Sequence, residues 1–238
     1  MPKDEIAAAE AGSGHERAGV VLTPLVNRRY LRELARFRML LFSGEHVPDD
    51  RSELLVRWWR TLDEVMATYH RSMADVFWEL LRAKSPDAEA VVATMNTRHE
   101  LLAASRAEAG RALTDLLLGG GSPSRTQLAF VRFHEEMSAI AFWEEREVFP
   151  RAGRLFAEDD WCRVETHVIA MQAAKGQIEH VLPWLCEGIA GDGVERVLGA
   201  MPLPLRSAYL SVWLPAHERL TARVWPRKPQ PAPPEDTA

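Results

Sequence analysis

At 238 residues, with 47% apolar and 26% charged side chains, the chain is long enough to bury a full core. A net charge of −5 and a pI near 5.9 give no basic face for phosphate, which excludes nucleic acid as the main partner. No apolar run nears the roughly 18–20 residues that span a bilayer. "MPKDEIAAAEAGSGHERAG" lacks the apolar core of a signal peptide, so a cytoplasmic protein away from membranes is expected. Cys162 and Cys186 make neither a disulfide framework nor a thiolate metal site and are expected to be buried or inert thiols.

Residues 1–20 are small, polar and unpatterned, which predicts a flexible tail. Leu25, Leu31, Leu34, Phe37, Leu40 and Leu41 then line one side of a helix over 23–43. "GEHVPDDRSE" breaks it, with Asp50 or Ser52 able to cap a second helix over 52–83. "KSPDAEA" ends that helix, and a third runs over 87–118 to the loop "GGGSPS". The fourth begins near Ser124 and halts at Pro150, where the backbone loses a donor. "AEDDW" opens a fifth over 158–189. A helical extension over 191–226 follows, in which Tyr209, Trp213 and Trp225 are expected to pack against the rest. The proline-rich end over 227–238 is predicted to be disordered. No segment alternates as a strand would. Long helices joined by short loops predict an all-α, antiparallel four-helix bundle over 21–190 with additional C-terminal helices.

A shift of 71 residues lays "YHRSMADVFWELL" (69–81) on "IAFWEEREVFPRA" (140–152), pairing Tyr69 with Ile140, Met73 with Glu144 and Phe77 with Val148. With the helix order, these segments and "LTPLVNRRYLRELARF" resemble the hemerythrin-like family of HHE cation-binding bundles over residues 23–165. The stretch from "LPWLCEGIA" to "VWP" is similar to an extension of some bacterial members. The resemblance implies two irons held by histidines and carboxylates between four helices. Its ligand positions fall on Asn27, on Tyr69 and Met73, on His99, and on Ile140 and Glu144. Only His99 and Glu144 keep the family's chemistry, with Asn27 and Tyr69 as alternative oxygen donors.

A family-free count agrees. Iron in a bundle wants imidazole and carboxylate at helical spacing, and only His46, beside Asp49 and Asp50, has an acid three or four residues away. A complete di-iron centre is therefore not expected. Three readings stand. In one, the interior of Asn27, Tyr69, His99 and Glu144 is a self-satisfied network, Tyr69 to Glu144 and His99 to Asn27, in a non-catalytic binding or regulatory protein.

In the second, a residual pocket holds a small molecule, a single iron on His99 and Glu144, or haem. Haem would take His99, His70 or Tyr69 as axial ligand, with Met73, Phe77, Trp78, Ile140 and Phe142 lining its slot. Catalysis, redox or otherwise, would then use His99 or Glu144 as proton donor or acceptor. In the third, a shifted register recruits His70, His134 or Asp75 to a di-iron site. Glu147 is expected to turn inward more than Glu145, and His167 and His180 to be structural. Trp58 or Trp59 is expected at an interhelical contact.

Overall fold

The computed structural model describes residues 22–226 apart from Ala190 and Ala200, so both expected tails lie outside the described residues. Eight helical rods and no strand occur among them. They are α1 (Leu22–Phe42), α2 (49–84), α3 (Ala88–Leu117), α4 (123–155), α5 (Glu158–Ala174), α6 (Ile178–Cys186), α7 (Gly191–Gly199) and α8 (203–224). Among the described residues no helix is long and apolar enough to cross a membrane.

The amphipathic period read from α1 is the packing face. Val26, Tyr30, Leu34 and Phe37, three or four apart, are buried together. Helix α2 opens after Pro48, with Asp49 and Asp50 in the first turn where the helix dipole favours acids. No side chain of α2 itself caps it. Helix α4 starts at Pro123, one residue before the expected Ser124, because Ser122 Oγ accepts the Arg125 N–H.

Two expectations fail on backbone grounds. Helix α4 does not halt at Pro150. Its segments Pro123–Trp143 and Phe149–Leu155 are joined by a π turn over Glu144–Val148, in which the Phe149 N–H reaches back to Glu144 O. Pro150 then sits in the first turn of the next α segment, where no donor is needed. Pro215 sits likewise behind the π turn Tyr209–Trp213 of α8. The helix expected over 158–189 also divides, at Gly176, whose φ of +67° suits glycine alone.

A third π turn, Met73–Trp78, interrupts α2. It begins 71 residues before the one at Glu144, the same offset as the sequence repeat, so the two rods share a backbone irregularity at matching points.

Side-chain pairs fix the packing. Helix α1 runs antiparallel to α4, from Asn27 against Glu144 to Phe37 against Phe130. Helix α2 runs antiparallel to α3, from Trp59 against Gly110 to His70 against His99. Helices α3 and α4 meet antiparallel through Ser105 and Glu136 and through Arg98 and Trp143. Helix α5 covers α2, while α6 and α8 close the α1–α2 side. Trp59 reaches the core as expected, stacking among Phe37, Phe130 and Phe133. Trp225 packs on Phe37 at 5.0 Å, and Tyr209 is buried. A second aromatic layer gathers Trp78, Phe149, Phe156 and Trp161 around Phe77. The polar interior lies between these layers.

Candidate functional site

The first half of the interior joins α1 to α4. Asn27 Nδ2 donates to Glu144 Oε2 at 2.5 Å, and both residues are at most 5% exposed. Burial pushes the Glu144 carboxyl up to about 7, although the Asn27 hydrogen bond opposes the rise. Tyr69 shares the compartment: burial first, and the Glu144 charge second, hold its hydroxyl well above the usual tyrosine range. Asn27 Oδ1 has no hydrogen-bond partner among the described residues.

The second half joins α2 to α3. The His70 and His99 rings stack with centroids 4.5 Å apart and planes 21° apart. Burial, helped by the Arg106 charge, lowers His99 to about 4. Burial and then His99 and Arg106 take His70 well below the ordinary value, so both rings are neutral at pH 7. Arg106 Nε lies 2.8 Å from Asp63 Oδ1 on the same interface. His99 Nε2 is buried with no partner, so the expected bond from His99 to Asn27 does not form.

The five predicted residues thus fall into two clusters, Asn27–Glu144–Tyr69 and His70–His99, bridged by the Tyr69 and His70 rings 5.6 Å apart. His99 and Glu144 do not form the joint metal pair expected of them: Glu144 is engaged by Asn27, and His99 is turned against His70.

The donor set does not fit a metal centre. Met73 and Ile140 bring a buried thioether and a buried alkyl chain where the family's nitrogen and oxygen ligands would stand, and among the described residues no three His, Cys, Asp or Glu side chains gather around one point. Asp75 faces His167 at 3.6 Å, and His134 Nδ1 faces Arg38 Nη1 at 3.1 Å, so the shifted register assembles no site either.

Haem does not fit. Met73, Phe77, Trp78 and Ile140 are close-packed in the core, and the cavity beside Tyr69 is about 20 Å³, the room of one water. Phe142, expected in the slot, is 59% exposed beneath Arg146. Glu147 is exposed like Glu145, because the π turn rotates it outward. Cys162 is exposed and Cys186 buried, both as free thiols.

No family model matches the chain, and no curated protein or solved structure does either. The hemerythrin-like reading therefore stands on its motif residues alone.

The open space lies elsewhere. A cleft of about 270 Å³ is formed by α2, α6 and α8, with Trp58, Trp184 and Trp213 contributed by one helix each. His217 and His180 also line it. Behind the wall runs a chain of charges. Trp58 Nε1 donates to Glu33 Oε2 at 3.0 Å, and Arg36 donates to Glu33 at 2.6 Å and to Glu187 at 2.5 Å. His217 Nε2 lies 3.7 Å from Glu187 Oε2, an ion-pair distance beyond hydrogen-bond reach, and its ring leans on Trp58.

Burial raises Glu33 against the pull of Arg36 and Trp58. Burial works against Glu187 too, but His217 and Arg36 hold its carboxyl down to about 2. Glu187 is thus the firm anionic partner of Arg36, and the network ties α1, α2 and α8 together.

Sequence reasoning missed Trp58, Trp184 and His217 as lining residues. One signal was present. Leu54, Trp58, Leu62 and Val65 form a second apolar stripe on α2, displaced from the Leu55, Trp59, Met66 and Phe77 side that faces the core.

Proposed function

We propose that this chain is a non-catalytic small-molecule-binding protein on a hemerythrin-like four-helix scaffold, with its ligand seat in the α2–α6–α8 cleft rather than between the four helices. The observation that carries the reading is the cleft: about 270 Å³, mostly apolar and near the lower edge of small-molecule sites, with three indole rings from three helices. A wall braced by Arg36 between two glutamates keeps such a seat open without a ligand.

Support for the scaffold comes from the antiparallel contacts of α1 to α4 and from the π turns repeated 71 residues apart. In this reading the interior pairs, Asn27 with Glu144 and His70 with His99, are structural. They sit where the family would hold iron and set the register of the helices, as buried polar groups can.

The neutral dye N-phenyl-1-naphthylamine, whose emission rises in apolar surroundings, tests the location. The expected result is one dye per chain, bound equally by the native protein, His99→Ala and Glu144→Gln, and lost in Ala216→Trp, where the new ring fills the cleft. Dye binding that survives Ala216→Trp but disappears in the two interior variants would move the seat inward and overturn the reading.

A further inference from the structure

The chemistry left unsatisfied around the cleft selects a charge for its occupant. The acid of the lining and the two behind the wall each have a nitrogen partner. Glu33 accepts from Trp58 and Arg36, Glu187 from Arg36 with His217 beside it, and Glu179, the acid among the lining residues, has His180 Nε2 at 3.5 Å. One cation on the lining has no acceptor among the described residues. Arg57 lies on the rim, exposed, in no ion pair and with no side-chain hydrogen bond. The lining's one carboxylate, Glu179, has a histidine beside it, whereas the Arg57 guanidinium is left to an incoming anion.

The walls select the rest. Trp58, Trp184 and Trp213 contribute three indoles, and Leu54, Leu62 and Val212 complete an apolar lining. Planar rings gain from stacking on indole beyond the area they bury. The volume, about 270 Å³, lies near the lower edge of small-molecule sites and suits one or two rings.

Building on the cleft reading above, we infer that the ligand is a planar aromatic monocarboxylate of one or two rings. Its rings lie among the three tryptophans and its carboxylate is bound by Arg57. A carboxylate on a guanidinium makes charge-assisted, bidentate hydrogen bonds, which a neutral amide cannot match.

The test is displacement of N-phenyl-1-naphthylamine by three isosteric probes: 2-naphthoate, naphthalene-2-carboxamide and 2-naphthylmethylammonium. 2-Naphthoate is expected to bind about tenfold more tightly than the amide, with the ammonium weakest. Arg57→Gln should weaken 2-naphthoate about tenfold and the amide less than about twofold. Arg57 is exposed, so this variant keeps the fold, which circular dichroism checks. If the dye binds in the cleft but the amide or the ammonium equals 2-naphthoate, or Arg57→Gln leaves 2-naphthoate unchanged, the ligand class is wrong and the cleft reading stands. If the dye itself does not bind, or binds regardless of Ala216→Trp, both fall together.

Discussion

The interior at Glu144 and the cleft at Trp58 are built from the same materials, aromatic rings beside ionisable groups, and differ in the room beside them. In the interior, Glu144 is enclosed and bonded to Asn27, the histidines are stacked and neutral, and aromatic layers seal both ends. At the cleft the charges of Glu33, Arg36 and Glu187 are tied up behind the wall, while the Arg57 guanidinium has no acceptor among the described residues and stands beside about 270 Å³ of space. A cluster of titratable residues is thus a poor guide to a binding site by itself. Unsatisfied donors next to room for a ligand are a better one.

The largest expected effect comes from breaking the network behind the cleft. Arg36→Met leaves Glu33 and Glu187 facing each other without their shared cation, and chemical denaturation should show a loss of about 3 kcal/mol. A loss under about 1 kcal/mol would class the pair with ordinary surface bridges and weaken the case for a braced wall.

In the interior, Glu144→Gln keeps the acceptor for Asn27 and removes a carboxyl whose folded value, about 7, lies above its unfolded value near 4.5. Such a group favours the folded state fully below the unfolded value, and that benefit is lost as pH rises through 7. The variant should therefore be more stable than the native chain at pH 8, by on the order of 2 kcal/mol, and no more stable at pH 4.5. Denaturant midpoints at the two pH values measure the difference.

Gly110→Ala would gain helix propensity, yet a Cβ at that position lies 2.6 Å from Trp59 Nε1 in the core. Overpacking should win, with a net loss of about 1 kcal/mol and a shifted tryptophan emission. The smallest change is expected for His99→Leu. His99 titrates at about 4 in the folded chain and near 6.5 when unfolded, so it costs stability as pH falls from 6.5 towards 4. Removing it should flatten that acid limb by on the order of 1 kcal/mol at pH 6, and an unchanged limb would mean that the ring is solvated.

The helical class, the four long rods and the buried face of α1 were legible in the sequence because amphipathic period and loop chemistry act locally. Gly176 was legible too. A glycine following "AAK" is a helix stop, and reading the helix through to 189 overlooked it. The continuation past Pro150 was not legible. A π turn takes up one extra residue, and nothing in the composition of "EEREV" announces it. Asn27, Tyr69 and Glu144 were placed in one compartment correctly, whereas the partner of His99 was misread, because stacking on His70 depends on the pitch between α2 and α3. The cleft draws its walls from residues over 150 positions apart, and only the α2 stripe hinted at it.

Trp225, just past the end of α8, is seated on Phe37 of the first helix, inside the aromatic layer that also holds Trp59 and Phe130. The layer therefore resembles an arch whose keystone is laid late. During synthesis the helix that carries Phe37 must wait for Trp225 to emerge before that layer is complete. Removing Trp225 would unseal the layer at Phe37.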